Sequence, residues 1–159
     1  SAAMLKDSGA DYCIIGHSEA REQLNESNES IREKFDQLKR MQINPIVCVG
    51  ESLQVKETEK TKDHLRNQLS VLDSETEDLI VAYEPIWAIG TGLVPTEKEI
   101  DEAIGSIREI FKKPIKVLYG GSVKASNSQI LLDNTDINGL LVGGASLNAQ
   151  EFAKIAQSC

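Results

Sequence analysis

The sequence predicts an α/β fold built on a parallel sheet, and three observations carry that prediction. Short apolar runs recur: "YCIIG" (12–16), "PIVCVG" (45–50), "LIVAY" (79–83), "IKVLYG" (115–120) and "INGLLVG" (137–143). Their near-continuous apolarity suits strands buried on both faces of a parallel sheet. Between them lie charged segments with helical periodicity, and the run starts at 12, 45, 79, 115 and 137 are 33, 34, 36 and 22 residues apart, about what a βαβ unit requires.

Taken in order, the chain opens at Ser1 inside a short helical stretch, "SAAMLKDSGAD", and the first strand follows. His17, Ser18 and Glu19 mark a helix start. The segment 28–42 places Ile31, Phe35 and Leu38 on one face and charges on the other. A second charged helix is predicted over 52–72. Thr96 to Glu99 forms a capping-box pattern just after Pro95, so a helix over 96–111 begins there, with Ile100, Ile104, Ile107 and Ile110 inward. Shorter helices near 126–133 and 148–157 complete the alternation.

The chain has 159 residues, about one domain, with 17 basic against 25 acidic residues and a net charge of -8. So acidic a surface argues against nucleic acid or anionic membrane as a partner, since both need a positive footprint. A small soluble partner fits better. Cys13, Cys48 and Cys159 follow no CxxC or paired spacing and read as buried, reduced thiols. No apolar run reaches the length of a membrane span, and the N-terminal residues lack the order of a signal peptide, so the expectation is a cytoplasmic protein.

An unbroken βα alternation gives either an open doubly wound sheet or a closed barrel, and both collect function at the C-terminal ends of their strands. Those exits read "GHSEAR", "GES", "EPIWAIGTG", "GGSV" and "GGASL". Glu84, beside Tyr83 and Trp87, is either a partly desolvated general base, an acid bonded to a neighbouring loop, or simply a solvated acid. Pro85 restricts Glu84 to extended backbone and ends strand pairing. His17, at a helix start, is either a neutral imidazole able to polarise a carbonyl or a structural histidine. His64, on the charged helix, reads as a solvated surface residue. The glycine sets in "AIGTG", "YGGSV" and "VGGASL" are ordinary βα turns singly; in series they suit backbone capture of a phosphate dianion. No local pattern supplies a metal site, a dinucleotide fingerprint or a serine elbow, so neither metal nor cofactor is expected.

Together "IIGHSE", "PIVCVGE", "VAYEPIWAIGTG", "VLYGGSV" and "GLLVGGASL" resemble the triosephosphate isomerase family, in its order and near its spacings, over essentially the whole chain. That family is itself a standard worked example of a glutamate base beside a neutral histidine, so these roles come with the resemblance. It implies that Glu84 moves a proton between C1 and C2 of dihydroxyacetone phosphate and D-glyceraldehyde 3-phosphate, a step of glycolysis and gluconeogenesis. His17 would polarise the carbonyl, with Glu19 beside it as a third member of the catalytic set. Gly90, Ser122, Gly143 and Gly144 match phosphate contacts. Residues 85–95 match a lid with Pro85 and Trp87 near its first hinge, and Tyr119 matches a residue that steadies the closed lid. The implied partner is a small phosphorylated triose, and full-length members form homodimers.

The resemblance also implies a partial (β/α)8 barrel, with five strands matching the fourth to eighth and the first three βα units absent. With them go the family's active-site lysine and its neighbouring asparagine, leaving Glu19 without its usual partner. Ala20 stands where an arginine is usual, which removes the customary partner of Glu26, and the second hinge reads "LVP" (93–95). Five units leave the first and last strands with open apolar edges. The expectation is therefore a piece of a longer protein, ahead of a chain whose edges another chain covers or a natural short relative.

Overall fold

The computed structural model describes residues 1–89, 91 and 93–159. Five strands form one sheet in the order β1 (Tyr12–Ile15), β2 (Asn44–Val49), β3 (Ile80–Tyr83), β4 (Lys116–Tyr119) and β5 (Gly139–Leu140), each parallel to its neighbour. The helices are α1 (Ala2–Asp7), α2 (Ser18–Gln23), α3 (Asn28–Arg40), α4 (Leu53–Glu57), α5 (Thr61–Leu69), α6 (Glu97–Arg108), α7 (Ser128–Asn134) and α8 (Ala149–Ala156). Single 3-10 turns occupy Ile86–Ala88 and Gly144–Leu147. Consecutive parallel strands linked by helices make this part of a βα barrel, as the sequence predicts. Among the described residues no helix is long and apolar enough to cross a membrane.

Local signals account for most of these elements. In α3 the Ser27 side chain accepts a hydrogen bond from Ser30 N, and Ile31, Phe35 and Leu38 are buried against the β1–β2 end of the sheet. The capping box of α6 is complete: Glu99 N donates to Thr96 Oγ1 at 3.3 Å, and Thr96 N donates to Glu99 Oε2 at 2.8 Å. Its Ile100, Ile104 and Ile107 join Leu65 and Leu69 of α5 in the core. Ile110 is only partly buried and packs against that core.

Two elements depart from the sequence reading. The helix predicted over 52–72 divides into α4 and α5, because no apolar residue occurs between Val55 and Leu65 to hold a continuous face on the core. Glu59 takes positive φ (56°) at the break. The last strand is shorter than 137–143, covering only Gly139–Leu140. Just before it, the Asn138 side chain accepts the Val117 N–H at 2.8 Å, and a side chain thus replaces ladder backbone there.

Register brings the strand exits together. Val49 pairs with Tyr83 and Tyr83 with Tyr119, so these three strands end level. The ladder runs one residue further, with Glu84 N donating to Val49 O at 2.7 Å and Gly120 N to Tyr83 O at 2.8 Å. Gly50 permits this approach: a Cβ there would lie 1.7 Å from the Glu84 carbonyl oxygen. Gly16 turns the chain out of β1 at φ +69°. The far edge of β1 is unpaired and exposes Tyr12 (57%) and Ile14 (48%), the apolar edge anticipated from the sequence.

Candidate active site

Glu84 leaves β3 directly above its neighbours and is 2% exposed. Its Oε2 accepts the Ser18 backbone N–H at 3.1 Å, and its Oε1 lies 3.0 Å from His17 Nε2. Burial pushes the carboxyl above the usual glutamate range, while His17, the Ser18 hydrogen bond and the Arg21 charge pull the other way. Of the alternatives left open by the sequence, a simply solvated acid does not fit this burial. Glu84 is bonded to a neighbouring loop, and it is a desolvated carboxylate.

His17 is the N-cap of α2, where its Nδ1 accepts the Glu19 N–H at 3.4 Å. An accepting Nδ1 places the proton of the neutral ring on Nε2, the atom that faces Glu84. The ring is partly open to solvent while the carboxylate is closed in. Such a pair offers a desolvated base beside a movable N–H donor.

Glu19 lies apart from this pair. It is exposed on the first turn of α2, and among the described residues its carboxylate has no hydrogen-bond or ion-pair partner. Glu26 finds the partner that the sequence comparison removed: Lys34 of α3 forms an ion pair with its Oε1, and Oε2 accepts Gly16 N at 3.1 Å. The loss of an arginine at Ala20 is therefore made good one helix later. His64 is also not a solvated residue. It is half-buried, with Nε2 3.1 Å from the Gly50 carbonyl oxygen, because Leu65 beside it turns α5 into the core.

The other predicted residues that are described lie at or after the C-terminal ends of β3, β4 and β5. Pro85 is buried, and Trp87 sits in the 3-10 turn that follows. The Ser122 hydroxyl donates to the Ala88 carbonyl at 3.0 Å and joins the β4 exit to that turn. Gly143 and Gly144 are exposed at the β5 exit, and a Cβ on either would meet open space. The backbone N–H groups of Ser122, Gly143 and Gly144 donate no hydrogen bond among the described residues. Gly90 lies outside the described residues. Tyr119 is fully buried, and its hydroxyl has no partner among the described residues. Burial raises its pKa to about 12.

Two functional neighbours escaped the sequence reading. Glu51, at the β2 exit, is 1% exposed, and its Oε1 accepts from both Trp87 Nε1 (2.7 Å) and Tyr83 Oη (3.0 Å). Its Oε2 has no partner among the described residues, and burial raises its pKa despite those two donors. The one signal was its place in "GES", among the acids at the strand ends. Arg21 gave no signal. It ties the β1 and β2 exits by donating to Gly16 O (2.7 Å), Cys48 O (3.0 Å) and Asn28 Oδ1 (2.9 Å), while burial works against its charge. Of the thiols expected to be buried, Cys48 is, and desolvation pushes its pKa up, but Cys13 on the edge strand is only partly buried and Cys159 at the end of the chain is exposed.

The description "Triosephosphate isomerase" belongs to the family model that matches residues 1–159. The chain belongs to the triosephosphate isomerase family. It is 42% identical to the triosephosphate isomerase of Alkaliphilus oremlandii over 98% of its own length and 68% of that relative's. It is 44% identical to that of Bradyrhizobium sp. strain ORS 278 over 100% of its length and 67% of the relative's. For the Francisella tularensis strain SCHU S4 enzyme the figures are 42%, 98% and 66%. The chain thus spans about two thirds of the length of these members of the family.

Proposed function

We propose that the chain carries the proton-transfer site of a triosephosphate isomerase, interconverting dihydroxyacetone phosphate and D-glyceraldehyde 3-phosphate without metal or cofactor. The Glu84–His17 pair supports this best: a buried carboxylate of raised basicity stands 3.0 Å from an imidazole nitrogen that carries a transferable proton. Glu84 takes the proton from C1 of the ketose, and the C–H electrons form the enediolate double bond. The carbonyl electrons move onto the C2 oxygen, where His17 Nε2–H donates to the developing charge. His17 gives its Nε2 proton to the C2 oxygen and takes up the proton of the C1 hydroxyl, and return of the Glu84 proton to C2 as the C1 carbonyl forms gives the aldose. Before this, Glu84 exchanges its bonds to Ser18 and His17 for the substrate.

The amides of Ser122, Gly143 and Gly144, together with Gly90, take the phosphate group in this reading. Residues 85–95, hinged at Pro85 and Trp87, cover the site and exclude water. Tyr119 supports the covered state, and Glu19 serves as acceptor for a cation beside His17. The test is isomerisation by the purified 159-residue chain, followed with a coupled assay. Turnover that Glu84→Gln removes supports the assignment; turnover that survives Glu84→Gln overturns it. A second reading, a chain that keeps the site pattern but turns over poorly by itself, is favoured by the open β1 edge with Tyr12 and Ile14 exposed. A folded chain with a titrating Glu84 and no turnover is its outcome.

A further inference from the structure

Lys56 stands on α4, outside the Glu84–His17 pair, and reaches both flanks of the 85–95 segment. Its Nζ lies 3.3 Å from the centroid of the Trp87 ring. The same ammonium forms an ion pair with Glu99 Oε1 on the first turn of α6. The other oxygen of Glu99 accepts from Thr96 N at 2.8 Å and from Thr96 Oγ1 at 2.9 Å, and Thr96 is the first residue beyond the segment. Glu51, five residues before Lys56, holds the edge of the same indole through Trp87 Nε1. One short stretch at the β2 exit therefore grips the edge and face of Trp87 and, through Glu99, the far end of the segment.

We propose that Lys56 is a positioning residue, a strap that holds Trp87 and, through Glu99, Thr96 in their observed places, so that movement over Glu84 of the chain between them requires Lys56 to release the Trp87 face. The proposal rests on the reading of 85–95 as the cover of the Glu84 site. Its physical basis is that a cation over an indole face is attracted most strongly where water is kept away, and Trp87 is only 8% exposed. Glu99 stays ionised, because its hydrogen bond from Lys56 and those from Thr96 hold its carboxyl at about 2. Lys56 thus keeps a fixed anchor on α6, and the indole cannot turn away without losing both its Glu51 hydrogen bond and its cation. Weakening the observed arrangement raises the fraction of molecules able to cover a ligand, and apparent affinity rises by that fraction.

Trp87 is the only tryptophan among the 159 residues, so its fluorescence reports on the strap directly. The experiment compares the parent chain with Lys56→Met and Lys56→Arg, using acrylamide quenching of Trp87 and calorimetric binding of glycerol 3-phosphate, a three-carbon phosphate ester with no carbonyl to react. Lys56→Met is expected to make Trp87 more quenchable and to tighten glycerol 3-phosphate by roughly threefold to tenfold, the range expected for loss of one partly desolvated cation–ring contact. Lys56→Arg, which keeps a cation able to stack on the ring, should hold both readouts near the parent. Unchanged quenching in Lys56→Met, or failure of Lys56→Arg to restore it, overturns the strap. If no form binds glycerol 3-phosphate, the isomerase reading fails while the quenching comparison still decides the strap.

Discussion

Glu84 and Glu51 leave adjacent strands at the same end of the sheet, both are almost wholly buried, and burial raises the pKa of both. Their partners separate them. Each oxygen of Glu84 has its own partner, and one of these is an imidazole partly open to solvent. Glu51 receives both of its donors, Tyr83 and Trp87, on a single oxygen, and neither donor titrates near neutrality. Desolvation raises the basicity of a carboxylate in either place; a solvent-linked partner is what Glu84 has and Glu51 lacks. Glu51 becomes an anchor for the turn that carries Trp87.

Paired substitutions break this comparison most sharply. Glu84→Gln should lower kcat by about 10²–10⁴-fold, the usual contribution of a positioned general base, whereas Glu51→Gln should leave kcat within about tenfold. Steady-state kinetics on the two variants checks it, and equal losses would erase the distinction. The glycine between them comes next. Gly50→Ala drives a Cβ to 1.7 Å from the Glu84 carbonyl oxygen and should cost about 1–3 kcal/mol in chemical denaturation, with loss of activity as Glu84 shifts.

Smaller effects sharpen the roles. Trp87→Phe removes a 2.7 Å hydrogen bond to Glu51 and should cost about 1–2 kcal/mol, read from the denaturation midpoint. The smallest effect is in the pH dependence of stability. The folded-state pKa of Glu84 lies above its unfolded value, so between the two the folded chain binds more protons and stability falls as pH rises through that window. Glu84→Gln should remove that fall, making the variant the more stable form at neutral pH while the two forms converge in acid. Thermal melts across pH compare them directly.

Sequence periodicity exposed the framework because the core demands it. Ile31, Phe35 and Leu38, and later Ile100, Ile104 and Ile107, are buried where their spacing placed them, and the Thr96–Glu99 cap is formed. The strand exits were readable for the same reason, and Glu84 and His17 meet there. What stayed hidden depends on contacts between distant segments. The Lys34–Glu26 ion pair, the Arg21 bridge between two strand exits and the half-buried His64 all need tertiary placement that spacing cannot supply. Glu51 looked like one acid among three, and only the approach of Tyr83 and Trp87 sets it apart. The break between α4 and α5 was legible in the polar run 56–64, but a charged helix-forming composition masked it.

Whether Glu84 is held as an unusually basic carboxylate beside His17 is read by carboxyl-carbon NMR titration of the chain labelled at glutamate, assigned with Glu84→Gln. The account predicts that the resonance lost in Glu84→Gln titrates above the ordinary glutamate range, and that His17→Asn, which removes the imidazole, moves it further up. A Glu84 resonance that titrates at or below the ordinary range would contradict the account.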